Sequence, residues 1–376
     1  MILKKQKTAR KDWFFAIVVL VIAVWGTVMV FSAGSAYAEA RYDDSLYFAK
    51  RQLAWLVIGI AIMLLASKID PSVLEKYASH FYIGTILLLI LVLVVGMVGN
   101  GAKRWISIGP LTIQPSEIVK LTMPMLLARY FSKRETIKQD NRKERRILIY
   151  ETLIPLGIML LPIILVALQK HLSCVVILGT IGIILIFLSG INPKYIYFFC
   201  IIGILAITFM ALFTDYTKER IITWQDPESY KLTGGWQTLQ GLMAIGSGGL
   251  FGVGLGNSAL KHCYVSEPAN DMIFTILCEE TGFVGATITI GLYAVLIARG
   301  CTIAMRSEKT FTRLLCLGIC TKTAVQTLLN IAVVTNTVPN TGISLPFFSY
   351  GGSSLIMIFF EMGMLLSISR NAKIIK

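Results

Sequence analysis

Two carboxylates, Glu267 and Asp271, bracket Pro268-Ala269-Asn270 directly ahead of a long apolar segment. A carboxylate at a membrane boundary is costly unless it is paired or wet, which makes it a candidate for function. The chemistry open to it is proton transfer. Asp is also a favoured N-cap residue, so local sequence equally allows Asp271 simply to cap the helix that follows. A second pair, Glu117 and Lys120, lies in the run Gln114-Pro115-Ser116-Glu117-Ile118-Val119-Lys120. Pro115 suits the first turn of a helix. Residues three apart share a helical face, so Glu117 and Lys120 face the same way. At 1.5 Å of rise per residue, Lys120 falls roughly 7–8 Å past Pro115, below the outer boundary. A bare Lys costs ~2.5–3.5 kcal/mol near mid-membrane and needs a partner. Two roles fit: a structural ion pair with Glu117, or presentation to an anionic ligand in a wet cavity. Lys103 and Arg104, beside Trp105, belong at headgroup level, where they either anchor the chain or bind phosphate.

These residues need a membrane scaffold, and the composition supplies one. The chain has 376 residues, 55% hydrophobic and 15% charged, with a mean hydropathy of +0.71. So much unbroken apolar sequence is foreign to a soluble domain. Candidate spans run 13–34, 52–67, 77–98, 115–131, 151–168, 172–190, 194–213, 271–299, 311–335 and 350–369. The second can extend back through Lys50 and Arg51. The expected fold is an all-α polytopic membrane protein, a single domain over 1–376. It has about ten transmembrane helices and a large extracytoplasmic loop, about 214–270, between helices 7 and 8. The first apolar run is too long for a signal peptide and reads as a retained helix.

The net charge of +14 invites a nucleic-acid reading, but its distribution opposes one. Basic residues gather in Lys4–Lys11, in the 132–150 loop with its seven Lys and Arg, in 299–313 and in the tail from Arg370. The 336–349 connection has none. If the spans alternate, this is the positive-inside pattern, with both termini cytoplasmic and no nucleic acid expected. No internal repeat of the kind many transporters carry is visible. Most of the seven Cys lie in apolar spans and read as small buried hydrophobes. A Cys174–Cys263 disulfide is a weak alternative. His80, His171 and His262 lack zinc-ligand spacing.

Two further segments belong to the outer face. Within 214–270, Gly234 to Ile245 reads as a short interfacial amphipathic helix. Gly246-Ser-Gly-Gly-Leu-Phe-Gly252-Val-Gly254-Leu-Gly256 follows it. No strand precedes that run and the spacing is wrong for a nucleotide loop. Its glycines instead permit tight turns and close approach to a ligand or another helix. The segment from Asn336 through Pro346, Ser349, Tyr350 and Ser353 is uncharged, hydroxyl-rich and broken by Pro and Gly. Non-helical backbone at membrane depth survives only when it is buried in protein or lines water.

Taken together, Arg104-Trp-Ile, Gln114-Pro-Ser-Glu117-Ile-Val-Lys120, the run from Ala244 to Ser258, Glu279-Glu-Thr-Gly-Phe-Val-Gly285 and Gly342 to Ser354 resemble the SEDS family of shape, elongation, division and sporulation proteins. The match runs in order through nearly the whole chain. Gly-Leu-Gly-Asn-Ser258 with Lys261 is more similar to the FtsW/SpoVE branch than to RodA. The resemblance implies a peptidoglycan glycosyltransferase acting on lipid II at the outer face of the bacterial cytoplasmic membrane. The role would be in division, sporulation or cell shape, beside a class B penicillin-binding protein transpeptidase. By motif position, Asp271 matches the family's essential aspartate, and Glu117 and Lys120 match its cavity pair. Arg104, Glu267, Ser349 and Ser353 join the expected substrate-binding set, and a divalent cation, Mg or Mn, is expected at an unassigned site. The chain departs from the family at Ala269-Asn270, where His-Thr is common, and at Lys170-His171, where Pro-Asp is common after Gln.

The implied reaction displaces a lipid-linked pyrophosphate from a sugar C1 by an acceptor 4-hydroxyl. A carboxylate base for that proton is worth typically ~10²–10⁴-fold, and the leaving pyrophosphate needs cations. Single displacement with inversion needs no second, nucleophilic carboxylate. A lipid II flippase and a non-catalytic scaffold of the cell-wall synthesis complex are the rival classes. The polar stripe Lys322, Gln326, Asn330 in the ninth span speaks for the flippase, and the changed residues ahead of Asp271 for the scaffold.

Overall fold

The computed structural model describes residues 11–99, 102–108, 111–135, 153–191, 215–232, 234–262 and 264–370, together with the single positions 197, 201 and 203. The predicted 194–213 span, most of the 132–150 loop, Cys263 and the N-terminal basic run lie outside the described residues. Among the described residues there are eleven helices. They are α1 (Trp13–Tyr42), α2 (Tyr47–Ala66), α3 (Pro71–Val95), α4 (Pro115–Glu135), α5 (Ile154–Leu168), α6 (Leu172–Leu188), α7 (Asp215–Gln225), α8 (Gly235–Ser247), α9 (Ile273–Met305), α10 (Thr310–Val334) and α11 (Gly352–Arg370). Six of them, α1, α2, α3, α9, α10 and α11, are long and apolar enough to cross a membrane, and α5 and α6 are shorter apolar helices. The chain is a polytopic, mainly helical membrane protein. Its outward-facing apolar side chains, such as Ile17, Val21, Val24 and Phe31 on α1 and Ile83, Leu87 and Val94 on α3, are those a lipid-facing surface requires.

The central element is α4. It packs against α3, α5, α6, α10 and α11, and the run from Val119 to Met125 is buried. A helix enclosed by protein on every side can carry Glu117 and Lys120, because neighbouring helices supply the partners that lipid cannot. Its first residue is Pro115, as the sequence predicts. Helix α2 begins at Tyr47 rather than residue 52, taking in Lys50 and Arg51.

Two features depart from the sequence expectation. Between α3 and α4 the chain forms a three-stranded antiparallel meander, β1 (Met97–Gly99), β2 (Ala102–Ile108) and β3 (Leu111–Ile113), in the order β1-β2-β3. The turn dipeptides Asn100-Gly101 and Gly109-Pro110 in the sequence are the signal for it. The second feature is a break in α9, which the sequence presents as one uninterrupted span. Gly282 has φ 67° and ψ −168°, a conformation open essentially to Gly. The break frees carbonyls and N–H groups that the turn after α8 satisfies. Val253 and Gly254 N–H donate to the Glu279 and Glu280 carbonyls at 3.0 Å, and Phe283 and Val284 N–H donate to Gly249 and Leu250 at 2.9 and 3.1 Å. A β-carbon at Gly252 would collide with the Glu280 carbonyl. The glycines of 246–256 therefore serve close approach to another helix. Glu279 and Glu280 complete this junction. Ser258 Oγ donates to Glu279 Oε2 at 2.5 Å and Ala259 N–H to Oε1 at 2.9 Å, while Lys261 Nζ pairs with Glu280 Oε1 at 3.2 Å.

Candidate functional site

Asp271 sits in the turn ahead of α9. The helix's N-cap is Met272, and no side chain caps it, so the carboxylate is free of the capping role its residue type suggests. The turn is held through its backbone. Tyr350 N–H donates to the Ala269 carbonyl at 2.8 Å, Ser349 Oγ donates to the Asn270 carbonyl at 2.7 Å, and Asn330 Nδ2 donates to the Asp271 carbonyl at 2.8 Å. The side chain itself faces Gln237 of α8, which hydrogen-bonds to the carboxylate, with Arg220 of α7 and Glu267 within electrostatic reach. Its Oδ1 atom is buried with no hydrogen-bond partner. A buried carboxylate oxygen with an unused lone pair is unusual and calls for a partner that arrives from outside the chain.

The surroundings are built from the loop 214–270 and the 336–349 connection. Arg220 donates to the Asn340 carbonyl, Asn340 Nδ2 to Gln237 Oε1 at 3.0 Å, and Trp224 Nε1 to the Asn336 carbonyl at 2.9 Å. Gly342 runs beside Asp271 Oδ2; a methyl group at Gly342 would lie 3.6 Å from it. The 336–349 connection is thus the wall of the site, consistent with irregular backbone buried in protein. Arg220 and Gln237 are functional candidates that sequence reasoning missed. Neither stands out by type, since both occur in a loop rich in other polar residues.

Burial, followed by the nearby Glu267 charge, pushes the Asp271 carboxyl up to about 6. A base must be ionised, so if Asp271 takes the proton, turnover is full well above pH 6, halved near it, and falls about tenfold per unit below. Initial rates between pH 5 and 8 should show this acid limb, and a flat profile would contradict it.

The second predicted pair lies in the first two turns of α4. Lys120 Nζ is 2.6 Å from Glu117 Oε1, with both side chains almost wholly buried. Gln326 of α10 accepts from Lys120 at 3.4 Å, and Ser354 of α11 donates to Glu117 Oε2 at 3.5 Å. His171, at the start of α6, is close enough to Lys120 and Glu117 to feel both charges, and its Nδ1 is buried without a partner. Burial, Arg104 and Lys120 push its pKa down to about 3, so it is neutral at pH 7. Ser116 adds another unpartnered buried hydroxyl. Buried polar atoms without protein partners mark space for water or ligand.

The remaining predicted residues divide. Arg104, on β2, donates to the carbonyls of Gln169 and Lys170 at 3.2 and 2.5 Å and so also braces the α5–α6 corner that carries His171. Lys103 donates to the Val94 carbonyl. Glu267, at φ 53°, accepts from Asn270 Nδ2 at 2.5 Å. The Ser349 hydroxyl is committed to backbone on both sides, accepting from Leu345 N–H at 2.6 Å and donating to Asn270. Ser353 is half-buried in the first turn of α11, beside Ser354. Cys174 is buried as a free thiol whose Sγ contacts the Ser116 carbonyl. The stripe of α10 is held by protein partners: Lys322 pairs with Glu361 at 2.6 Å, Gln326 Nε2 donates to Ser344, and Asn330 Nδ2 to Asp271 and Ile343, while Asn330 Oδ1 is buried without a partner.

Comparison with known proteins gives the family of the chain. The chain is 37% identical over 370 residues to stage V sporulation protein E of Bacillus subtilis, covering 98% of this chain and 99% of that one. It is 33% identical over 375 residues to a probable peptidoglycan glycosyltransferase FtsW of Geobacter sulfurreducens, covering 99% and 98%. Its fold matches a chain from a peptidoglycan synthase complex, solved to explain how polymerization and crosslinking are coordinated. That match has a TM-score of 0.79 and 27% identity and covers 96% and 98% of the two chains. The family of cell cycle proteins FtsW, RodA and SpoVE matches residues 12–374, and the chain belongs to it.

Proposed function

We propose that the protein is a peptidoglycan glycosyltransferase that polymerises lipid II into glycan strands at the outer face of the bacterial cytoplasmic membrane. The observation that carries this reading is the unpartnered, buried Asp271 oxygen beside a wall that α10 also links to the enclosed Lys120. In this reading Asp271 is the base for the reacting hydroxyl and Lys120 the cation for the lipid-linked pyrophosphate. Asp271 takes the proton of the acceptor 4-hydroxyl as its oxygen attacks the donor sugar C1. Lys120 holds the pyrophosphate as the C1–O bond breaks, with Arg104 at the rim. Attack from the face opposite the leaving group inverts C1, so an α-linked donor becomes a β-linked polymer.

No three His, Cys, Asp or Glu among the described residues converge on a point where they could hold a metal by themselves. A hard divalent cation held by a single carboxylate and completed by substrate phosphate oxygens would take Glu267, within electrostatic reach of Asp271, and leave Asp271 free as the base. Such a Mg or Mn ion would neutralise charge on the leaving group when bound. The partner proposed is a class B penicillin-binding protein transpeptidase, supported by the fold match to a synthase complex.

Purified protein in liposomes, given labelled lipid II and Mg or Mn, separates the classes. Polymer supports the enzyme, leaflet movement without polymer supports a flippase, and neither supports a scaffold. The Lys322–Glu361 pair closes the inner part of the α10 stripe and argues against an open polar path to the inner face. The proposed orientation, with cytoplasmic termini and an external 214–270 loop, rests on the distribution of basic residues. In a Cys-free background, a single Cys at position 229 should label from outside and one at position 140 only after permeabilisation. The opposite accessibility would overturn the sidedness.

A further inference from the structure

We infer that Asn330 and Gln326 are positioning residues that set the spacing between the base and the cation. Both lie on α10, four apart and so on one face, separated by roughly 6 Å along the axis. Asn330 is fully buried. Its Nδ2 donates to two carbonyls at once, Asp271 at 2.8 Å and Ile343 at 2.6 Å. Gln326, also fully buried, repeats the pattern one turn deeper. Its Nε2 donates to the Ser344 carbonyl at 3.0 Å and hydroxyl at 3.1 Å, and its Oε1 accepts from Lys120 at 3.4 Å. Each side chain therefore ties one chemical group of the site to successive residues of the 336–349 wall. A primary amide is the side-chain group that can split two N–H bonds between two carbonyls, or donate and accept together, at a single point. Two such amides at helical spacing form a rigid gauge on an element packed against α4, α6 and α9. Sites held by rigid elements keep their geometry, and a displacement of about 1 Å can cost ~10²-fold in rate.

The inference rests on the assignment of Asp271 as base and Lys120 as pyrophosphate ligand, and it predicts different kinetic signatures for the two amides. Asn330→Ala releases the base, whose contribution exists only in the transition state. Polymerisation by the purified variant should lose about 10- to 100-fold in kcat, with KM for lipid II within about threefold of wild type. Gln326→Ala removes the contact that ties the cation to the wall, though Glu117 still pairs with it at 2.6 Å, and that cation meets the pyrophosphate in ground and transition states alike. KM should rise about tenfold, with kcat changed less. Asn330→Gln, which keeps both donors on a longer arm, should recover part of the kcat that Ala loses. If Asn330→Ala does not survive extraction, Asn330→Leu, which fills nearly the same space without donors and without a buried charge, carries the same test.

A merely structural role predicts something else: both variants lose kcat and raise KM in parallel with their thermal stability. That outcome, or full kcat in a folded Asn330→Ala protein, overturns the positioning role. Asp271→Asn assayed alongside keeps the two ideas apart. If Asp271→Asn polymerises normally, the base assignment fails. If it is inactive while folded Asn330→Ala keeps full kcat, only the positioning inference fails.

Discussion

Asp271→Asn should insert and fold like wild type yet polymerise lipid II at least ~10²-fold, and up to ~10⁴-fold, more slowly. Asn fills the same space, and it offers Gln237 a hydrogen-bonding partner as Asp does. Every clamp on the turn runs through backbone atoms, namely the carbonyls of Ala269, Asn270 and Asp271, so the substitution leaves all three in place. The N-cap of α9 is Met272, and no helix cap is lost. What disappears is the ability of the side chain to accept a proton near neutral pH. Polymer yield and thermal stability measured on one preparation decide the matter. A wild-type yield would remove Asp271 from the chemistry.

The second large effect concerns Lys120. Lys120→Ala should abolish polymerisation and also destabilise the protein. Removing one member of an enclosed ion pair leaves the other charge uncompensated, at a cost of about 3–5 kcal/mol; Glu117 keeps a long 3.5 Å contact from Ser354 and the more distant charge of Lys322. The single variant therefore confounds fold with function. The pair Glu117→Gln with Lys120→Met removes both charges together, and replacing a whole buried pair by neutral groups is often near neutral in stability. This double variant should melt close to wild type and still fail to polymerise. Restored melting with restored activity would mean that the ion pair is structural and the pyrophosphate is held elsewhere.

Much of this was legible in the chain. Apolar run lengths located the spans, and the missing N–H of proline fixed the start of α4 at Pro115. Spacing of three put Glu117 and Lys120 on one face, where they do pair. The glycines of 246–256 announced close approach without naming what they approach. Their partner, the break at Gly282, was hidden because a lone Gly in an apolar run looks the same whether the helix bends or continues. The meander at 97–113 is marked in the sequence only by its turn dipeptides, because three strands this short carry too little alternation to stand out between long apolar spans. Asp suits an N-cap, so local sequence leaves capping open for Asp271, and only the backbone shows that Met272 takes that place. Asn330 was visible as part of a stripe, but its partner lies 59 residues away. Helical periodicity tells which residues share a face, and it is silent on what that face meets. For the same reason Arg220 and Gln237 carried no mark of their nearness to Asp271.

The central claim is single displacement at C1 by one carboxylate base, and the linkage of the product tests it most directly. Purified protein should convert labelled lipid II, in the presence of Mg or Mn above pH 6, into polymer joined wholly by β linkages. A muramidase specific for β linkages should degrade that polymer to its disaccharide units. Lipid II left monomeric by folded protein across both cations and the full pH range would contradict the account, as would a polymer with retained α linkages.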